Sequence, residues 1–141
     1  MMDKEYIELS ESNFEELAKL QILYKYEIGE EPPSQNQLKS LAQAIRKKQI
    51  HFYGCCCYGE LIGCCSVCIT FSTFDYNKAG VFEDFFIKPE FRHRGIAREL
   101  VQFAYRESGA RSLNVGCANS DLEMYKSLGF SIVLGNMLAF E

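Results

Sequence analysis

The chain has 141 residues, of which 48% are hydrophobic and 24% charged, and its formal net charge is -4. That length predicts a single domain over residues 1–141, and the composition excludes disordered and fibrous proteins. The acidic balance argues against a general nucleic-acid binder, which would carry a basic surface. Because no apolar run is long enough to span a membrane and no signal peptide opens the chain, we expect a cytoplasmic protein without a membrane partner.

The first part of the chain predicts one strand followed by two helices. The alternation of "YIELS" at 6–10 is typical of a strand. Ser12 with Glu15, and Ser34 with Gln37, have the spacing of capping boxes, and each pair predicts a helix start. Gly29 should end the first helix. The second helix has an apolar face made of Leu38, Leu41, Ala42 and Ile45.

Six of the seven cysteines lie in "GCCCYGELIGCCSVC" at 54–68. The turn residues at 58–60 separate two apolar runs, which predicts a β-hairpin in which Cys serves as a small apolar residue. Adjacent cysteines alternate between the faces of a strand, and this spacing fits zinc ligands poorly. We therefore predict no metal site and reduced thiols that pack, while redox chemistry stays an alternative.

The second part predicts strands at about 50–57, 61–72 and 80–87, the last of which ends at Pro89. A helix over about 94–108 precedes the strand "RSLNVGC". Ser120 and Glu123 form a third capping box, whose helix should end at Gly129. The apolar runs "FSIVL" and "NMLAFE" then predict two final strands. The resulting order is βααβββαβαββ, an α/β (α+β) sandwich.

The segment "EFRHRGIARELV" at 90–101 predicts an anion site. It places Arg92, His93 and Arg94 before Gly95 and a helix start, where unpaired N–H groups and the helix dipole favour negative charge. Gly95 and the small Ala97 allow a bulky group to approach the backbone. The expected guest is a phosphate or diphosphate. The segment has neither the Walker pattern nor the Rossmann fingerprint, which argues against those nucleotide folds.

Two segments resemble the GNAT superfamily of acetyl-CoA-dependent N-acetyltransferases. In "VFEDFFIKPEFRHRGIARELV", the residues Arg92, Gly95 and Ala97 occupy the defined positions of motif A, Gln/Arg-x-x-Gly-x-Gly/Ala. "MYKSLGFSIV" is similar to motif B, and the predicted element order is that of the family from about residue 6 to 140. The resemblance implies a mixed, mostly antiparallel sheet flanked by helices, with acetyl-CoA as cofactor and coenzyme A as product.

The resemblance also implies where the cofactor lies. Its pyrophosphate would sit on backbone N–H groups from Arg92 to Arg98, and its pantetheine arm would pair with Phe85 and Ile87. The Phe85 amide would hold the oxyanion of a tetrahedral intermediate. The alternative for "VFEDFFI" is a simple buried strand. The implied cofactor-binding residues are Phe85, Phe86, Ile87, Arg92, His93, Arg94, Gly95, Ile96, Ala97, Arg98 and Asn119.

Tyr125 matches the general acid of such enzymes, because a phenol is protonated at neutral pH and can donate to the leaving thiolate. Its alternative is an aromatic residue of the core. Glu83 and Asp84 should lie on opposite faces of their strand. "EDFF" resembles diamine N-acetyltransferases, which implies that Glu83 accepts the amine proton; alternatively Glu83 belongs to an ion pair or orients the substrate. Asn119 lies six residues before Tyr125, whereas the family often has Asn seven before; it either contacts a ligand or caps the last helix.

Acidic residues near the end of the first helix suggest attraction for a cationic amine. The predicted substrate-binding residues are Glu27, Glu30, Glu31, Asp75 and Asp84. A merely solvated acidic turn is the alternative. The predicted function is direct transfer of an acetyl group in a ternary complex to a primary amine of a small cationic molecule. Three alternative functions stay open: acetylation of a protein or peptide amine, a non-catalytic coenzyme A sensor, and an acidic structural protein. A homodimer stays open as well.

Overall fold

The computed structural model describes residues 3–141, which form one five-stranded sheet with helices on both faces. The elements in chain order are β1 (Lys4–Glu8), α1 (Phe14–Glu27), α2 (Gln35–Arg46), β2 (His51–Cys57), β3 (Glu60–Ser72), β4 (Asn77–Ile87), α3 (Ile96–Ser108), β5 (Ser112–Val115) and α4 (Leu122–Ser127). The strands lie in chain order, β1 to β4 antiparallel and β5 parallel to β4. The predicted mixed, mostly antiparallel sheet is thus confirmed.

The two faces of the sheet carry separate parts of the core. The α1 side contains Leu17, Leu20, Phe52, Leu61, Cys64 and Phe86, with α2 residues packed around them. The α3 side contains Tyr53, Cys65, Val67, Phe82, Leu100, Val101 and Ala104. Burying both sets removes most of the large apolar side chains of β2, β3 and β4 from water, which is the main force that holds such layers together.

The cysteine-rich hairpin packs as the sequence predicts. Cys64 belongs to the core on the α1 side and its neighbour Cys65 to the core on the α3 side, because successive strand residues face opposite ways. Burial raises the pKa of both thiols, which keeps them protonated. Residues 3–141 contain no group of three or more His, Cys, Asp or Glu side chains arranged to hold a metal ion.

The predicted helices form, but only one of the three predicted capping boxes does. Ser34 Oγ accepts from the Gln37 amide at 3.1 Å, and Gln37 returns the bond to the Ser34 amide at 2.8 Å. Before α1 the equivalent bond runs instead from the Ser10 amide to Asn13 Oδ1, at 2.9 Å, because a 3-10 turn precedes the helix. Within the described chain no helix is long and apolar enough to cross a membrane.

The end of the chain departs from the prediction. A 3-10 turn at Asn119–Asp121 opens α4 without any side-chain cap, so the Ser120–Glu123 capping box is wrong. Residues 130–141 form no strand, and the observed order is βααβββαβα with two predicted strands absent. Apolar composition predicted these strands, but a strand also needs a paired neighbour. The large apolar residues that stay exposed here are Ile132, Val133, Leu134, Met137, Leu138 and Phe140.

Candidate active site

A gap opens between β4 and β5 at the middle of β4. The last paired residues are Phe82 of β4 and Val115 of β5. Beyond them β4 continues to Ile87 and pairs only with β3, where Phe86 lies opposite Cys64 and Ile87 opposite Gly63. The second half of β4 therefore presents one unpaired edge, and an unpaired edge offers N–H and C=O groups to an extended ligand.

One backbone hydrogen bond at the end of β4 shows in which direction the amides of this strand point. The Lys88 amide donates to Ile62 O at 2.9 Å, towards β3. Because successive residues of a strand direct their backbone groups to alternate sides, the amides of Ile87 and Phe85 face the gap. By the same alternation the amide of Phe86 faces β3. The Phe86 ring is buried on the α1 side, with its centroid 6.4 Å from that of Tyr24.

Unpartnered amides line the start of α3. Gly95 (φ 81°) and His93 (φ 63°) both adopt left-handed backbone conformations. Glu99 is the first amide to reach an acceptor, Gly95 O at 3.3 Å, and no described residue accepts from the amides of His93 or of residues 95–98. A methyl group added at Gly95 would meet no protein atom within 4 Å, so the space beside this loop is open. Such a concave set of N–H groups at a helix N-terminus binds anions.

Two of the arginines in this segment bind the protein itself. The Arg92 amide donates to Pro89 O at 3.2 Å, its Nε to Ile87 O at 2.8 Å, and its Nη2 contacts both carboxylate oxygens of Glu27. Arg98 Nη2 donates to the carbonyl of Ser127 at the end of α4. Both side chains therefore tie the loop to neighbouring elements, and the amides rather than these guanidinium groups are open to a ligand.

Tyr125 lies beside the gap. Its ring packs against Phe85, with centroids 6.3 Å apart, and against Phe130 at 5.9 Å. Burial, with smaller contributions from Tyr24, Asp121 and Cys117, raises the pKa of the Tyr125 phenol to about 12. The phenol therefore carries its proton at neutral pH. The two interpretations of Tyr125, as a core residue and as a general acid, are compatible. The ring packs against its neighbours while the protonated hydroxyl can still donate.

A β-bulge in β4 brings the two carboxylates to the same face, so the predicted opposite placement is wrong. Between the pairs Ser66–Glu83 and Cys64–Phe86, two β4 residues oppose one of β3, and Asp84 has φ 54°. Asp84 Oδ2 accepts from Ser66 Oγ at 2.6 Å, and Glu83 lies directly opposite Ser66 in the register. Cross-strand partners share a face, so both carboxylates lie on the α1 side.

The Glu83 carboxylate is exposed and has no hydrogen-bond or ion-pair partner among residues 3–141. Asp84 is half-buried and held by Ser66. An unpaired carboxylate next to a positioned one can accept a proton or attract an ammonium group. The ion-pair alternative for Glu83 is not what the structure shows.

Sequence reasoning missed three α1 residues, of which Tyr24 and Lys25 interact electrostatically with Asp84 and Gln21 is buried in the same helix. Burial first, and then the Asp84 carboxylate, raises the pKa of the Tyr24 phenol. Lys25 Nζ binds Glu30 Oε1 at 3.0 Å, and this bond raises the pKa of the Lys25 ammonium. Gln21 is 6% exposed, and its Nε2 has no hydrogen-bond partner among the described residues. Their helical spacing in α1 looks like ordinary core packing and carries no signal of a site.

The remaining predicted residues are dispersed. Glu27 binds Arg92, Glu30 binds Lys25, and Glu31 is exposed in the connection between α1 and α2. Asp75 lies at the tip of the β3–β4 hairpin, eight residues from Glu83 and thus roughly 20 Å away along β4. The structure does not bring Asp75 to the gap. Asn119 is exposed at the start of the 3-10 turn, and its side chain caps neither that turn nor α4.

A protein-family model described as "Acetyltransferase (GNAT) domain" matches residues 47–132, more than half of the chain. The matched stretch runs from just before β2 to just after α4, and so includes the gap, the α3 start and Tyr125. No curated protein matches the chain in sequence.

Solved structures share the fold at low sequence identity. An acetyltransferase of Trypanosoma brucei has a TM-score of 0.74 and 22% identity, with 99% of both chains covered. The aminoglycoside N-acetyltransferase AAC(6')-Iy in complex with CoA has a TM-score of 0.84 and 15% identity, covering 100% of this chain and 96% of that one. An aminoglycoside acetyltransferase from an uncultured soil sample, in complex with sisomicin, has a TM-score of 0.82 and 12% identity, covering 98% and 95%.

Proposed function

The chain belongs to the GNAT acetyltransferases, and on this premise we propose that it transfers an acetyl group from acetyl-CoA to a primary amine of a small cationic molecule. The observation that carries the proposal is the parting of β4 from β5 after Phe82, between the open amides of α3 and the ring of Tyr125. A diphosphate fits the His93 to Arg98 amides, and an extended arm fits the unpaired edge of β4.

When bound, acetyl-CoA supplies a thioester as the acetyl donor. In the proposed mechanism the Phe85 amide, which faces the gap, donates to the thioester carbonyl oxygen as negative charge develops on it. Tyr125 protonates the departing sulfur, since its phenol carries a proton near neutral pH and its ring lies beside Phe85. Glu83 takes the proton of the attacking ammonium, directly or through water.

The acceptor class rests on the charges beside the gap. Glu83 and Asp84 lie on the α1 side, and Glu83 has no ion-pair partner among residues 3–141, so a positively charged amine would be attracted there. Two structural neighbours are aminoglycoside acetyltransferases, which is consistent with a cationic small molecule but shows only the fold at their identity. The likeness of "EDFF" to diamine enzymes stays a prediction.

A thiol-release assay tests the proposal. The chain is mixed with acetyl-CoA and with sisomicin, spermidine or lysine, and free coenzyme A is measured with a thiol reagent. We expect release that depends on one of the amines and on Tyr125. Calorimetry that detected acetyl-CoA binding without turnover on any amine would indicate a coenzyme A sensor instead, and absence of binding would contradict the proposal altogether.

A further inference from the structure

The ion pair between Arg92 and Glu27 joins two residues that the sequence placed in different sites. They are 65 residues apart, and Arg92 Nη2 lies 2.8 Å from Glu27 Oε1 and 2.9 Å from Oε2. Arg92 is also fixed by its Nε bond to Ile87 O and by stacking on Phe86, with the guanidinium carbon 5.5 Å from the ring centroid. The guanidinium is therefore held from three directions, which distinguishes it from an ordinary exposed pair.

Each partner of the pair lies next to one half of the proposed site. Arg92 comes directly before His93, whose amide has no acceptor among the described residues, and its own amide is already bonded to Pro89 O. Glu27 is the last residue of α1, one turn after Tyr24, whose phenol responds to the Asp84 charge. The pair is thus a direct link between the anion-binding loop and the helix that borders the acceptor side.

We infer that Glu27 is a positioning residue: through Arg92 it couples ordering of the 92–98 loop on coenzyme A to ordering of the C-terminal end of α1. The inference depends on the proposed function in one respect only: it takes coenzyme A to be the ligand of the 92–98 loop. Because linkage is reciprocal, loss of the pair should weaken coenzyme A binding. The Glu27 carboxylate is occupied by Arg92, so the inference gives it a positioning role in place of the predicted acceptor contact.

A second ion pair provides a matched control. Lys88 Nζ binds Glu60 Oε1 at 3.1 Å, and it likewise joins the end of β4 to another element. The Lys88 and Glu60 side chains are 23% and 61% exposed, compared with 35% and 44% for Arg92 and Glu27. Glu60→Gln therefore removes a similar pair, between β3 and the residue after β4, and leaves the Arg92–Glu27 pair in place.

The experiment compares wild type, Glu27→Gln and Glu60→Gln, with coenzyme A alone as the probe. Calorimetry gives the Kd, and hydrogen exchange is followed in peptides covering 92–98 and 22–30. Glu27 is substantially exposed, so the Gln variant should fold, and its Tm checks this. We expect coenzyme A to protect both peptides in wild type and in Glu60→Gln. In Glu27→Gln we expect protection at 92–98 only, with Kd raised about fivefold.

A double-mutant cycle tests whether the effect passes through Arg92. In an Arg92→Gln background, the additional Glu27→Gln change should leave Kd unaltered. The inference is overturned if wild type binds coenzyme A without protecting 22–30, if Glu27→Gln retains that protection, or if the two substitutions have additive effects. If wild type binds no coenzyme A, the proposed function itself fails, which is a separate and recognisable outcome.

Discussion

The ring of Tyr125 packs against Phe85, with centroids 6.3 Å apart, at the point where β4 has parted from β5. Phe85 carries an amide that faces the gap, and Tyr125 carries a phenol that keeps its proton. In the proposed function, the Phe85 amide holds the thioester carbonyl oxygen and Tyr125 protonates the sulfur beside it. The contact between the two rings thus brings together the two residues to which the proposal gives the donor roles.

Tyr125→Phe should lower kcat about 100-fold, because the sulfur would leave without a positioned proton donor. The ring contacts with Phe85 and Phe130 do not involve the hydroxyl, so coenzyme A affinity should stay unchanged. Thiol release gives kcat, and calorimetry gives the affinity. Tyr76→Phe, at the exposed hairpin tip, is the control. An unchanged kcat would show that the proton comes from elsewhere.

The raised pKa of Tyr125 also predicts the behaviour at alkaline pH. The folded value is about 12, above the unfolded reference of about 10, so the protonated phenol favours the folded state. This contribution is complete below pH 10 and is lost as pH rises towards 12. The denaturant midpoint of wild type should therefore fall relative to that of Tyr125→Phe over that interval. Parallel curves from pH 8 to 11.5 would contradict the assignment.

Glu83→Gln should lower kcat/KM at pH 7 by about 100-fold, because the acceptor ammonium would lose its base. The loss should shrink as pH approaches the pKa of the acceptor amine, since more of the amine then arrives neutral. A pH–rate profile from 7 to 10 measures this. Glu123→Gln, an exposed residue paired with Lys126, controls for the removal of a carboxylate. A loss that is independent of pH would argue for a binding role.

Two substitutions of Asp84, the residue at the bulge, distinguish its structural role from its functional role. Asp84→Asn should preserve stability, because Asn tolerates the left-handed backbone and can still accept from Ser66. Asp84→Ala should lose roughly 1–2 kcal/mol from the backbone conformation alone, and more because the buried Ser66 hydroxyl loses its acceptor. Thermal unfolding measures both. For a cationic acceptor, KM should rise in the Asn variant while the KM for acetyl-CoA stays constant.

Some features set by local sequence were predictable, although two of the three predicted capping boxes do not form. The Ser34–Gln37 capping box and the αL glycine Gly29 after α1 depend on a few neighbouring residues, and they form as predicted. The bulge at Asp84 depends on how β3 and β4 align over their whole length, and no residue near Glu83 signals it. A single shift in register reverses the face of a side chain, which is why the opposite placement was wrong.

The site shows the same division. The motif around Gly95 predicted the helix start whose amides are unpartnered, because a helix start needs only the local chain. It did not predict that Arg92 binds Glu27 or that Arg98 binds Ser127, since those partners arrive from α1 and α4. Tyr24 was missed for a related reason: its position on α1 has ordinary core spacing, and only the packed sheet places it near Asp84.

Gly95→Ala tests the anion-binding loop most directly, and α3 supplies its own control. Gly95 at φ 81° begins the helix and Gly109 at φ 73° ends it, and in both cases an added methyl group meets no protein atom within 4 Å. Each substitution should therefore cost a similar roughly 1–2 kcal/mol for the left-handed backbone, measurable by denaturant unfolding. Only Gly95→Ala places a methyl group in the space where a diphosphate would lie. We expect it to weaken coenzyme A binding at least about tenfold, and Gly109→Ala to leave binding unchanged. Equal affinities in the two variants would place the phosphate binding away from the start of α3.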